Sequence, residues 1–250
     1  MNDTAAIDRL AESREVAEPQ EPDEPQRVAV SRHGMVATAH PGATQAGVEV
    51  LEEGGNAVDA AVAAAFALGV CEPAASGLGG QSMMLLFEAE TRRTVALDGS
   101  SHAPSRAAPR SLRSGERLRG HTASTVPSTP ATLAYALETW GTLPLPRVLE
   151  PAIRHALQGI RITPFGRALM EMALEPLQKG TAGPLFLEDG ERPYPVGALF
   201  RQPVLAQTLE RLAAEGMADF YQGEIAQKIH DDMVAHDGLV QRDDLANIPW

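Results

Sequence analysis

The chain has 250 residues, a formal net charge of −12 and a single cysteine, Cys71. That length is ample for a real core, and one cysteine excludes an intrachain disulfide framework or a cysteine-built zinc cluster. The acidic balance argues against sequence-independent nucleic-acid binding, which needs many Lys and Arg facing phosphates.

Half of the net charge lies in residues 1–26, which hold eight acids and two bases. This stretch is also rich in proline and cannot bury enough apolar surface to offset its ordering entropy. Residues 1–33 are therefore expected to form a disordered acidic tail, and residues 34–250 the folded part. The start lacks the basic residues and continuous apolar run of a signal peptide. The most apolar stretch, residues 60–70, is too short to span a membrane. A cytoplasmic, membrane-free protein is the expectation.

Residues 35–39 read as a short buried strand. His40-Pro41-Gly42 then turns into a helix carrying Ala43, Ala46, Gly47, Val50 and Leu51 at helical spacing, ended by Gly54-Gly55. Asn56 caps a second helix, residues 57–70, which is apolar all round apart from Asp59 and so belongs in a core. Glu72-Pro73 stops it, and the small-residue loop Ser76-Gly77-Leu78-Gly79-Gly80 follows. Residues 82–88 and 93–98, joined by the polar turn 89–92, read as an antiparallel hairpin, and residues 99–120 as an irregular surface crossing. Helices are expected over 130–140, 146–158, 164–174, 203–215 and 223–236, with a Pro/Gly-rich excursion at 183–197.

Local chemistry is sparse. The glycine loop follows a helix and precedes a strand, the reverse of a dinucleotide fingerprint, and it lacks the Lys-Ser/Thr of a P-loop. Tight backbone packing beside a site is the expected use. Asp98, Ser100, Ser101 and His102 contain the residue types of a hydrolase triad, but no G-x-S-x-G elbow surrounds either serine. His33, His40, His121, His155, His230 and His236 show no metal-ligand pattern, and no metal is expected. Cys71, at the end of an apolar helix, reads as an inert core residue.

The larger pattern says more. Gly54-Gly55-Asn56-Ala57-Val58-Asp59-Ala60-Ala61, Glu72-Pro73 and Ser76-Gly77-Leu78-Gly79-Gly80 resemble the start of the γ-glutamyltransferase family. The resemblance continues through Asp98 with Ala103-Pro104, Trp140-Gly141-Thr142-Leu143-Pro144-Leu145, and Ala152-Ile153 with Gly159. It ends with Phe220-Tyr221-Gln222-Gly223-Glu224, Gly238-Leu239-Val240 and Asp243-Asp244-Leu245-Ala246, in order over roughly residues 34–248.

This resemblance implies an N-terminal-nucleophile hydrolase, here an incomplete αββα four-layer sandwich of α/β (α+β) class, mostly helical after residue 125. In that family a precursor cuts itself, and the new N-terminal threonine attacks a γ-glutamyl amide such as glutathione, with its own α-amine as base. No cofactor is implied. The resemblance places that threonine outside this chain, so no catalytic residue is assigned and the chain alone is expected to be inactive. The expected partners are a small amide or peptide substrate and a missing C-terminal portion or second chain. Without that portion, the hairpin is expected to expose an apolar face and unpaired edges, causing aggregation or molten behaviour.

Between its Asp and Ala-Pro the family normally carries an Arg-Glu pair, whose arginine holds the substrate α-carboxylate. Here Ser100 stands at the arginine position and Ser101 at the glutamate position, and these two are the candidate substrate-binding residues. Arg92, Arg93 and Arg106 are the cations nearby in sequence. The segment Thr125-Val126-Pro127-Ser128-Thr129-Pro130 lacks the glycines usual around the family's Val-Pro. Two alternatives stay open: an amidase or acylase with a different acyl substrate, and a non-catalytic remnant that binds a partner.

Overall fold

Two helical caps organise the front of the molecule. In the computed structural model, which describes residues 29–107 and 119–248, His40 Nδ1 accepts from Gly42 N at 3.1 Å and starts α1, Pro41–Glu52. Asn56 Oδ1 accepts from Val58 N and Asp59 N, while Asp59 accepts from Asn56 N, closing a capping box on α2, Ala57–Cys71. The predicted tail falls mostly on residues outside the described set; the elements that follow belong to one unit beginning at Val36.

The predicted strand at 35–39 is not formed, because no described residue pairs with it. Its polar groups turn inward instead: the Thr38 hydroxyl lies 2.8 Å from both His40 O and Thr44 Oγ1, making the segment a lead-in to α1.

The hairpin is present: β1, Ser82–Glu88, pairs antiparallel with β2, Arg93–Gly99, from Ser82 opposite Gly99 to Glu88 opposite Arg93. Met84, Leu86 and Leu97 face the helices and pack on the core. The opposite face carries Met83, Leu85 and Phe87, exposed by 68%, 76% and 60%. Helix α3, Thr129–Trp140, lies against the inner face, and Trp140 Nε1 donates to Glu88 Oε1 at 2.8 Å, tying the hairpin tip to the helix end.

Behind this layer, α2 packs on α1, α3 and α4, Leu145–Gln158, and α4 packs on α8, Pro203–Glu215. Many contacts are alanines (Ala46, Ala60, Ala63, Ala67, Ala136, Ala152), which lets helix axes approach closely. A short pair, β3 Ile160–Arg161 with β4 Leu199–Phe200, supports a second cluster containing Cys71, Met170 and Phe200. Burial pushes the Cys71 thiol up to about 12, so it is unreactive at neutral pH, as its place in an apolar helix suggested. Between these strands lie α5, Pro164–Met172, α6, Leu174–Lys179, and α7, Gly183–Phe186. The chain finishes through α9, Ala218–Gln222, α10, Glu224–Ala235, and α11, Arg242–Ala246. No helix among the described residues is long and apolar enough to cross a membrane.

Asp59, fully buried, joins the front helices to the α3–α4 turn. It accepts from Thr142 N at 2.9 Å, Thr142 Oγ1 at 2.6 Å and Leu143 N at 3.1 Å, besides Asn56 N at 2.8 Å. Gly141 permits this approach: a Cβ there would stand 2.7 Å from Asp59 Oδ1.

Tyr221 plays the same part for α3. Its buried hydroxyl accepts from Ala131 N at 3.0 Å and donates to Pro127 O at 3.1 Å. Tyr221→Phe strands both groups and is expected to cost about 1–3 kcal/mol in a urea melt, with the spectrum of the folded state unchanged.

Candidate functional site

A cleft of about 310 Å³ opens where β2 ends against α3. One wall is Asp98, Gly99 and Ser100; the other is Ser128, Thr132 and Tyr135 from the start of α3; Ile248 closes one side. The walls are locked together. Ser128 Oγ donates to Gly99 O at 2.5 Å, Thr132 Oγ1 donates to Ser128 O at 2.9 Å, and Ser82 Oγ and Thr129 Oγ1 are 3.0 Å apart. Gly99 has to be glycine here, because a Cβ would collide with Thr132 Oγ1 and Ser82 O.

The glycine loop supports this cleft from behind. Gly80 O accepts from Ser128 N at 2.9 Å and Thr129 N at 3.2 Å, so its backbone satisfies the N-terminus of α3. This is the packing use expected from the sequence.

Ser100 lines the cleft, but its hydroxyl is turned onto Asp98: Oγ donates to Asp98 Oδ1 at 2.6 Å, and Ser100 N donates to the same oxygen at 3.0 Å. These bonds hold the Asp98 carboxyl below the usual carboxylate range. Ser101 turns away from the cleft lining, and its N and Oγ both donate to Gln81 Oε1, at 3.0 and 3.2 Å. Neither serine hydrogen-bonds a histidine, so no triad is assembled; the His102 carbonyl instead accepts from Val126 N at 2.8 Å.

Among the described residues, no Lys or Arg lines the cleft, and its acidic group is Asp98. Arg92 and Arg93 sit at the far end of the hairpin: Arg93 is five strand positions from Asp98, about 17 Å away. Arg106 is exposed and outside the lining. His102 also lines the cleft, so its titratable side chains are Asp98, His102 and Tyr135.

The loop leaving β2 is anchored from the far end of the chain. Ser105 N donates to Asp244 Oδ1 at 2.9 Å, and Asp244 Oδ2 accepts from Gln241 N at 2.8 Å, capping α11. Two segments that carried the resemblance, around Ala103-Pro104 and Asp243-Asp244-Leu245-Ala246, thus meet in space. Ser128, Thr132 and Tyr135 were not singled out from the sequence, although their spacing along α3 places them on adjoining turns.

Residues 43–248 match the family model described as Gamma-glutamyltranspeptidase. The chain belongs to this family. It is 36% identical over 237 residues to the glutathione hydrolase proenzyme of Bacillus subtilis, a match covering 92% of this chain and 40% of that protein. The γ-glutamyltranspeptidase structure from Helicobacter pylori superposes with a TM-score of 0.84 at 34% identity, covering 89% of this chain and 66% of that one. A cephalosporin acylase from Bacillus halodurans gives 0.81 at 34% identity, over 93% of this chain and 45% of that one. The chain thus spans about 40% of the length of the curated relative, with the mixed helix-and-small-sheet fold of these N-terminal-nucleophile hydrolases. The expected fold class and family hold.

Proposed function

We propose that this protein forms the acyl-binding front part of a γ-glutamyltransferase-like amidohydrolase. A threonine nucleophile supplied from outside these 250 residues attacks an amide whose acyl group lies in the cleft at Asp98, Ser100 and Ser128. The observation that carries this reading is the convergence of the family segments, with the loop at 98–105 held by Asp244 at the open end of the hairpin. Strands supplied with the nucleophile would cover Met83, Leu85 and Phe87, completing the sandwich. A γ-glutamyl amide such as glutathione is the first substrate class.

One observation favours a second class. Ser100, at the position of the family's carboxylate-binding arginine, is neutral and already bonded to Asp98. An acyl group without an α-carboxylate fits that cleft better, as expected for an acylase.

The purified 250-residue chain should release no product from a γ-glutamyl anilide. The substrate class is tested by grafting residues 98–104 into the Bacillus subtilis relative. Loss of a charge-assisted carboxylate clamp is worth about 2–4 kcal/mol, so kcat/KM for the anilide should fall roughly 30- to 700-fold. Ser100→Arg within the graft should restore much of it. An unchanged kcat/KM would exclude Ser100 from the acyl site, and turnover by the isolated chain would exclude an external nucleophile.

A further inference from the structure

The fold gathers three ligand-type side chains away from the cleft. His121 sits in a 3₁₀ turn, Gly120–Ala123; Asp232 and His236 stand one turn apart at the end of α10. His121 Nε2 is 2.9 Å from Asp232 Oδ2, and His236 Nδ1 is 3.2 Å from Asp232 Oδ1. The two imidazoles stack with centroids 4.4 Å apart, and the three donor atoms lie within 4.8 Å of one another. Sequence pattern could not reveal the group, because His121 and Asp232 are 111 positions apart.

Neighbouring ligands on a metal with bonds near 2.1 Å stand about 3.0–3.4 Å apart. Both nitrogen–oxygen separations here are close to that spacing. Two imidazoles with one carboxylate are the donors of a borderline divalent transition ion, such as zinc or cobalt; magnesium and calcium prefer oxygen alone. Asp232 and His236 are exposed, so the His236 ring and the carboxylate can turn until their lone pairs converge with that of the half-buried His121. His236 Nδ1 also lies 2.8 Å from Asp232 O, a hydrogen bond that a metal would replace, the ring proton then sitting on Nε2.

We propose that His121, Asp232 and His236 bind one divalent transition-metal ion that staples the turn at residue 121 to the end of α10. Water completes the coordination.

The test uses the full chain, stripped with a chelator and titrated with zinc by calorimetry and with cobalt by visible absorption. One ion should bind per chain, cobalt should develop d–d bands, and zinc should raise the melting temperature. His121→Ala and His236→Ala should each weaken binding at least tenfold without changing the far-ultraviolet circular dichroism. His236→Gln serves as a milder second variant, and His33→Ala should leave the affinity unchanged. Absence of binding up to millimolar zinc, or undiminished binding in the His121→Ala/His236→Ala double variant, would overturn the proposal.

Discussion

Asp59→Ala is expected to cost about 3–4 kcal/mol, a large part of the stability of an ordinary domain. The substitution strands the amides of Asn56, Thr142 and Leu143 and the Thr142 hydroxyl, all of which converge on one carboxylate. It also opens the joint between α2 and the α3–α4 turn. The midpoint of a thermal melt should fall by roughly 10 °C.

The same carboxylate gives a pH signature. Burial pushes the Asp59 carboxyl up, but the Thr142 hydroxyl and the backbone amides of Asn56, Leu143 and Thr142 together outweigh it, leaving the folded value below the ordinary 3.8. A carboxyl depressed on folding adds stability that is complete above the unfolded value and is lost as pH falls through the folded one. The stability gap between wild type and Asp59→Asn should therefore hold at neutral pH and shrink below about pH 4. Urea melts at a series of pH values measure it; a gap that stays constant down to pH 2 would contradict this role.

The second large effect is on association. Met83, Leu85 and Phe87 form one exposed apolar face of the hairpin. Burying such a side chain is worth about 1.5–3 kcal/mol, so three together drive self-association strongly. The double variant Leu85→Lys/Phe87→Lys should raise the monomer's dissociation constant more than 100-fold, about 3 kcal/mol. Sedimentation should show it as a shift from oligomer to monomer at micromolar concentration. A wild-type chain that remains monomeric at 100-fold higher concentration would mean that this face does not associate. The same variant is the better background for the Asp59 melts.

Much of the architecture could be read from local pattern. Pro41 and Asn56 announced the two front helices, and the polar turn at 89–92 between 82–88 and 93–98 announced the hairpin; 83–87 is apolar throughout, so which residues face the core had to come from the structure. The short pieces were not legible. A two-residue pairing such as Ile160–Arg161 with Leu199–Phe200 has no period, and one-turn helices such as α7 and α9 bury too few side chains to leave a stripe. Residues 35–39 have strand composition, but composition supplies no partner, and Thr38 bonds locally instead. For the site, the family resemblance led to Asp98, Ser100 and Ser101. It could not show that Ser100 faces Asp98 while Ser101 faces Gln81, because both facts depend on how β2 leaves the sheet. Ser128 and Thr132 joined the cleft only through contact with Gly99, 29 residues away in sequence for Ser128.

The bond from Ser105 to Asp244 spans 139 positions. A ribosome adding about 5–20 residues per second needs roughly 7–28 s to cover that stretch. Through that interval the α1–α2 pair and the hairpin already have their local partners, as do Ser100 and Ser101 on Asp98 and Gln81, while the Ser105 amide still waits for Asp244. The cleft is thus the last part of this unit to be finished during synthesis. Any nascent chain released before Asp244 would carry the core helices and lack a closed site.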